Sequence, residues 1–592
     1  MFLVSIASDK NHRLLNTVKD SEGVDSQHFH NCVILSAKTA QLAIANDMLV
    51  LVDGNIYNIG DICKTKPGEA SHNNLGKQLL DLYINKGINS FNFLEGQFIV
   101  LIVDKKADTV MIFRDQIGIK PLFFASINEN FIISDTIESM IRVGGVKAIL
   151  NADKLFELFT FRYVSGHDTI YKGIQQILPG EYFFLKKHDM SLRSYFDPAE
   201  LFKSTREGNM DTAAKTLDAM IEQNVNLRLN GGERGGVMLS GGLDSLYLTK
   251  KTLKQYPRVK TYTLGFESLG EKDLEFVKNQ LSGLPIDPCY ILVNSKDYAD
   301  QLPKAVRSYN FPIKHPNYVG RDILFHKARK EGMEYLISGD GADTLFGGAC
   351  YVSLKKYLLL KKIPPKYLVA LFSVLWKSKQ RLIKKIIKTS INELILYGKE
   401  YTSQEQVKKV LLSHFTGLKD PFIFHSQHLD GVAKLQPMDR AFYMALLTTL
   451  AVSPRDQYIM SRSNGITIEY PFLDLNVTKF IASIPANVKL PGFSAKFLLK
   501  KSVQLELPAK LMNRKKYGLP VPLSKWLRDK DGLGRYISDL TSSTSKTKRL
   551  YDSQYLAELV MQFEGGDDSI SEILWVLINL EVWMREFNVG IE

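Results

Sequence analysis

Three stretches of the chain carry the residue types from which phosphate chemistry is built. The first is Ser240-Gly241-Gly242-Leu243-Asp244-Ser245, which follows the apolar run GGVML ending in Leu239 and opens into LYLTKKTLKQY. Glycines let backbone N–H groups close on phosphate oxygens, a helix N-terminus adds a positive end, and serine hydroxyls supply further donors, so an anion is expected there. The G-K-S/T ending of a Walker loop is absent, which argues against γ-phosphate transfer. The second runs from Leu336 to Gly348, LISGDGADTLFGG, again an apolar run ending in glycines and carboxylates. Mg2+ prefers hard oxygen ligands and shares itself between carboxylates and phosphate, so Asp244 and Asp343 are the natural pair to hold it against pyrophosphate. The third is NRKKYGLPVP, residues 513–522, where Lys516 offers a cation able to steady charge on an α-phosphate.

These side chains need elements to position them. From residue 235 onward the chain reads strand, glycine turn, helix, with further apolar strands at KTYTLGF, CYILV and EYLISG and helical stretches between. Strands alternating with helices predict a parallel sheet covered on both faces, with ligands at the carboxyl ends of its strands. The first 200 residues differ: FLVSIA, MLVLVDGNIYNIG, FIVLIVD, VMIFRD, LFFAS, FIISD and EYFFL are short apolar runs separated by turn residues, the pattern of a strand-rich domain. Residues 75–86 and 212–228 read as helices, and from about residue 350 the chain reads as helical. The tract TSSTSKTKR, residues 541–549, reads as a mobile polar loop.

Composition sets the bounds. A length of 592 residues predicts more than one core, and 45% hydrophobic residues exclude a disordered chain. Lys and Arg outnumber Asp and Glu by 76 to 63, which favours anionic ligands without identifying nucleic acid. Cys32, Cys63, Cys289 and Cys350 are scattered, with no C-x-x-C pair, so neither a disulfide framework nor a zinc site is indicated. The run from Tyr367 to Trp376 is about half of a membrane-spanning length. The apolar N-terminus lacks a basic region and cleavage site and reads as a buried strand, and a cytoplasmic enzyme is expected. Between Lys355 and Lys388 lie eleven Lys or Arg residues and no acid, a candidate docking surface for a peptide or partner protein.

SGGLDS in this context resembles the pyrophosphate loop of ATP pyrophosphatases, which adenylate a substrate. Together with SGDGADTLFGG, YPFLD (470–474), RKKYGLPVP and WVLINLEVWMREF it resembles the synthetase domain of the glutamine-dependent asparagine synthetases. DGNIYN (53–58), LEGQF (94–98), FRDQIGIKPLFF (113–124) and LPGEYFF (178–184) are similar to that family's glutaminase domain. The resemblance is collinear over nearly the whole chain. It implies an α/β architecture: an Ntn-hydrolase-like αββα glutaminase-type domain over residues 1–205, then an ATP-pyrophosphatase (adenine nucleotide α-hydrolase-like) parallel-sheet domain over 206–592 with a mostly helical C-terminal part. It further implies that ATP is bound by Leu239, Ser240, Gly241, Gly242, Asp244 and Ser245, with Leu264, Gly265 and Phe266 near the adenosine and Ser338 and Gly339 beside them. Asp244 and Asp343 would hold Mg2+, Lys516 would act on the adenylate, and Asp340 would handle the nucleophile, with Glu469 as its neighbour.

The chain also departs from that family. Family glutaminases begin Met-Cys-Gly; this chain begins Met1-Phe2-Leu3, and phenylalanine has no nucleophilic atom. The glutamine-holding residues are not evident around Ala37–Ala45 or Asn73–Gly76. Where the family has a K-x-D-R segment, this chain has Asp456, Gln457, Tyr458 and Ile459, and its E-x-R positions are Thr467 and Glu469. A changed charge in a substrate pocket changes the substrate. The reading is therefore an ATP-dependent amide ligase without its own glutaminase. It would activate a carboxylate substrate, small molecule or peptide, and take nitrogen from a substrate amine, as in β-lactam synthetases and lasso-peptide cyclases, or from free ammonia. An asparagine synthetase or other amidotransferase acting on a small carboxylate, a non-catalytic scaffold and an RNA-modifying ATP pyrophosphatase are the alternatives.

Overall fold

A computed structural model describes every residue except 1, 7–23, 38–39, 64–74, 204–208, 230–233, 268–270, 282, 365–388, 397–399, 413–414, 416–419, 505 and 508–518. Its N-terminal strands are β1 (Phe2–Ile6), β2 (Val24–Phe29), β3 (Cys32–Ala37), β4 (Gln41–Ala45), β5 (Met48–Ile56), β6 (Gly96–Asp104), β7 (Thr109–Arg114), β8 (Phe123–Ile127), β9 (Asn130–Ser134), β10 (Ile174–Gln176), β11 (Glu181–Lys186) and β12 (Asp189–Ser194). They form two six-stranded sheets in the orders β10-β8-β9-β1-β3-β2 and β12-β11-β7-β6-β5-β4. Successive side chains on a strand point to opposite faces, so Leu49 and Leu51 of β5 enter the core between the sheets while Val50 and Val52 meet the helix Leu75–Lys86. Both sets are buried, which is why these strands read as nearly unbroken apolar runs. This is the αββα layering expected from the sequence. The outer face of the other sheet, through Leu3, Leu35, Phe123 and Ile132, packs with Ile137, Met140 and Leu155 into an apolar cluster that continues into the C-terminal half.

The second sheet system is parallel: β13 (Gly235–Met238), β14 (Val259–Phe266), β15 (Ile286–Val293), β16 (Tyr335–Ile337) and β17 (Thr467–Glu469), in the order β15-β14-β13-β16-β17. The chain turns from β13 towards β14 on one side, while β16 and β17 extend the sheet on the other. A crevice therefore opens at the carboxyl ends of β13 and β16, where the connections diverge. The two glycine-rich stretches found in the sequence follow these two strands. Strand β17 escaped the sequence reading, because three residues inside a helical stretch give no periodic signal. The helix Ser571–Glu586 has buried residues on every side, and its Trp583 indole donates to Tyr171 Oη at 2.7 Å across the domain boundary.

The polar tract 541–549 is pinned rather than loose. Ser545 Oγ and Thr547 N donate to Glu581 Oε2 at 3.0 and 2.9 Å, and Lys546 N donates to Glu581 Oε1 at 3.1 Å. A buried carboxylate needs such donors, and a serine- and threonine-rich loop can supply them. No helix among the described residues is long and apolar enough to cross a membrane. Most of the basic 355–388 segment lies outside the described residues. Its start belongs to the helix Ala349–Lys361, where Lys355 Nζ donates to the carbonyl of Leu490.

Candidate active site

The loop after β13 closes on itself before it meets any ligand. Gly241 takes a left-handed φ of 70°, Ser245 Oγ donates to Gly242 O at 3.1 Å, and Ser240 N donates to Ser245 Oγ at 3.2 Å. The helix Leu243–Leu253 starts directly behind, so its first backbone N–H groups face the crevice. The loop after β16 comes close because Gly339 lacks a side chain: a Cβ there would stand 3.2 Å from Asp244 Cβ and from Ser245 N.

The two loops wall a cavity of about 330 Å3. Leu239, Ser240, Asp244 and Ser245 line it from the first loop, and Ser338, Gly339, Asp340 and Asp343 from the second. Leu264 closes one side at the end of β14. Gly265 and Phe266 do not line it. Gly265 falls on the opposite face of β14 from Leu264, and Phe266, beyond it at the strand's end, is fully buried against Tyr298 and Trp526. Gly241 and Gly242 shape the loop without facing the cavity. Lys516 lies outside the described residues, although Leu519, close behind it in sequence, lines the cavity.

Lys496, which sequence reasoning missed, stands between the two aspartates. Its Nζ is 2.6 Å from Asp244 Oδ2 and 2.7 Å from Asp343 Oδ1. The residue adopts a left-handed conformation, φ 53°, ahead of the helix Phe497–Val503. Burial opposes its charge, but the two carboxylates outweigh that and raise its pKa above the ordinary lysine value. The other oxygen, Asp244 Oδ1, is buried and has no hydrogen-bond partner. A buried carboxylate oxygen left without a donor is a costly arrangement that a hard cation relieves, so the donor set fits Mg2+. No local pattern in GFSAKFLLKK marks Lys496; only the tertiary fold brings it to residue 244.

Asp340 is held by Arg321, whose Nη1 lies 2.7 Å from Asp340 Oδ2. Ser338 Oγ donates to the same oxygen at 2.7 Å, and Arg321 also donates to Gln457. Gln457 lines the cavity, whereas its neighbour Asp456 is buried against Arg455 at 2.7 Å. His315 borders the cavity too. Burial first, then the cations Lys314, Arg162 and Arg321, depress its pKa well below the ordinary value, leaving a neutral imidazole.

Glu469 is placed elsewhere. Its carbonyl accepts from Ser338 N at 2.9 Å, which keeps its backbone beside the second loop. Its carboxylate turns into the domain boundary, where Oε2 accepts from Tyr57 Oη at 3.2 Å and Gln97 Nε2 at 3.3 Å and lies 3.5 Å from Arg228 Nε. Arg228 also pairs with Asp474 at 2.7 Å and stacks on Tyr57 at 4.5 Å. Glu469 and Asp340 are therefore not brought together around one cavity.

In the first domain Phe2 is fully buried in the core between the sheets, its N donating to Asp135 Oδ1 at 2.9 Å. Cys32 lies in the same core, where burial pushes its thiol up to about 12, and burial also raises Cys63. Neither thiol is disposed to ionise at neutral pH.

A family model for asparagine synthase matches residues 216–585, more than half of the chain, and one for a glutamine amidotransferase domain matches residues 32–196. The chain is 24% identical over 553 residues to asparagine synthetase [glutamine-hydrolyzing] 1 of Bacillus subtilis, covering 90% of this chain and 85% of that one. It is 24% identical over 574 residues to a putative asparagine synthetase [glutamine-hydrolyzing] of Mycobacterium tuberculosis, covering 92% and 85%. It is also 21% identical over 515 residues to the amidase chyE of Penicillium rubens, covering 76% and 73%. With its ordered cavity at the sheet's switch point and a family match over most of its second half, the chain belongs to the asparagine synthase family of ATP-dependent carbon–nitrogen ligases.

Proposed function

We propose that this protein forms an amide by way of an acyl-adenylate and that it does so without hydrolysing glutamine itself. Residues 206–592 carry the chemistry, and residues 1–205 serve as a structural partner. The observation that carries the first part is the pair Asp244 and Asp343 joined through Lys496 at the mouth of a phosphate-type loop. The loop 240–245 receives the pyrophosphate portion of ATP on backbone N–H groups and serine hydroxyls. Asp244 and Asp343 would hold Mg2+, which when bound neutralises phosphate charge. A carboxylate oxygen of the substrate attacks the α-phosphorus, the bond to the bridging oxygen breaks, and pyrophosphate leaves. Lys516 and Lys496 balance the charge on the phosphates. An amine then attacks the acyl carbon, AMP departs, and Asp340 accepts the proton the nitrogen sheds. The crevice excludes water and holds the reacting groups together.

The second part rests on the first domain. A phenyl ring buried at position 2 and thiols held protonated supply no nucleophile for glutamine. Nitrogen then comes from an amine within the substrate, as in ring closure of a peptide or lactam, or from free ammonia. The test is pyrophosphate release with purified protein, ATP and candidate acids, with ammonia or glutamine as nitrogen source. Release that ammonia or the substrate's own amine supports and glutamine does not is the expected result; glutamate formation from glutamine sinks the second part. The family membership favours a second reading, an asparagine synthetase proper, which predicts asparagine from aspartate and ammonia.

A further inference from the structure

A second cavity, of about 460 Å3, opens beside the nucleotide cavity and shares His315, Thr344, Thr449 and Ser453 with it. Its walls come from the helices Ala349–Lys361, Ile391–Leu396 and Pro437–Ala445, and they are largely apolar or aromatic. Three tyrosine rings are fixed by their neighbours. Tyr351 stacks on Phe442 at 4.3 Å, Tyr163 lies under Lys314 at 4.2 Å, and Tyr401 lies under Arg162 at 4.2 Å with its hydroxyl 3.3 Å from His315 Nδ1. Leu354, Leu394 and Ala445 add an aliphatic floor. No Asp or Glu is among the described residues lining it. Cavities of about 300–1,000 Å3 with this kind of lining take drug-sized apolar ligands held by a few polar groups.

Building on the adenylation reading above, we infer that the body of the acyl substrate occupies this second cavity and that the substrate is an acid with an aromatic or aliphatic body and no ammonium beside it, rather than free aspartate. The carboxylate reaches the α-phosphorus past His315, Thr344, Thr449 and Ser453, the shared threshold. Free aspartate would bring an ammonium group that needs an anion. The described residues lining the second cavity offer none, and in the first Asp244 and Asp343 are already paired with Lys496 and Asp340 with Arg321. Burying an unpaired ammonium is unfavourable, whereas an apolar body gains by leaving water. The volume is also far more than a four-carbon diacid fills.

Adenylation alone decides the matter, because it needs no amine. The acid's oxygen bonds to the α-phosphorus, pyrophosphate leaves with its electron pair, and the reverse step carries labelled pyrophosphate into ATP. Full-length protein is incubated with ATP, Mg2+ and labelled pyrophosphate, with 4-phenylbutyrate, N-acetylphenylalanine or aspartate as the acid. Exchange with either aromatic acid at least ~10-fold faster than with aspartate is expected. Faster exchange with aspartate overturns the substrate assignment and leaves adenylation standing. Exchange with none of the acids overturns both. Ala445→Phe, which fills the cavity, is expected to raise the KM for the aromatic acid by about 10-fold or more while that for ATP stays within about twofold. Ala445→Leu is the milder form should the larger ring unfold the protein. An unchanged acid KM in a folded variant of either kind overturns the assignment.

Discussion

Lys496 Nζ bridges Asp244 and Asp343 at 2.6 and 2.7 Å, linking carboxylates about a hundred positions apart in the chain. The lysine neutralises most of their mutual repulsion and leaves Asp244 Oδ1 as the oxygen without a donor. Replacing it by methionine removes the cation between the two carboxylates and leaves two like charges facing each other. Lys496→Met is expected to slow pyrophosphate release by about 10²–10³-fold, the usual loss when one preorganised charge partner of a transition state is removed. Steady-state release assays check this. An unchanged rate would reduce Lys496 to a packing role.

Arg321 holds Asp340 in place. Its guanidinium lies 2.7 Å from Asp340 Oδ2. Arg321→Met removes that partner and lets the carboxylate swing away from the acyl carbon. Amide formation is then expected to slow by about 10²-fold, while exchange of labelled pyrophosphate into ATP, which needs no proton acceptor, changes far less. An equal loss in both assays would place Arg321 in adenylation instead.

Arg228 holds the domain boundary. It faces Asp474 at 2.7 Å and Glu469 at 3.5 Å, all three groups buried. Removing one partner of a buried ionic cluster strands the others, at about 3–5 kcal/mol. Arg228→Met is therefore expected to lower Tm sharply in calorimetry. The KM for ATP should change little, because this cluster lies outside the cavity walled by the two glycine-rich loops.

Lys489 is fully buried, and its Nζ, stacked 4.1 Å from the centre of Phe442, has no hydrogen-bond partner. Burial, opposed by Asp439, lowers its pKa to about 8. In the unfolded chain the group keeps its ordinary value near 10.4, so between these values the unfolded state binds more protons. Stability tied to this group is fully present above the upper value and is lost as pH falls towards 8. Lys489→Met is expected to stabilise the protein at pH 7 by about 2–3 kcal/mol, an advantage that shrinks between pH 8 and 10 in paired thermal melts.

The strands and the two glycine-rich loops were legible in the sequence because their causes are local. MLVLV alternates between two buried faces, and glycines sit where Gly241 needs a positive φ or where Gly339 must approach Asp244. What stayed hidden depends on distant partners. Lys496 carries no motif, and its place is set by how the helix Phe497–Val503 docks. Glu469 looked like a neighbour of Asp340, and its carbonyl does reach Ser338 N at 2.9 Å, yet the carboxylate points to Tyr57. The serine-rich 541–549 tract read as loose because Glu581, its buried acceptor, lies far along the chain.

The apolar cluster that runs from Leu3, Phe123 and Ile132 into Trp583 and Tyr298 gives the N-terminal half a reason to persist that is independent of any chemistry it performs. Phe123 meets Phe311 at 5.8 Å, and Tyr171 donates to the carbonyl of Asn310 at 2.6 Å, so each half supplies part of the other's interior. Cutting the gene at the boundary would expose that greasy seam on both products. Inheritance of both halves together is then compulsory: whatever the first half does or ceases to do, a lineage cannot discard it without unmaking the second.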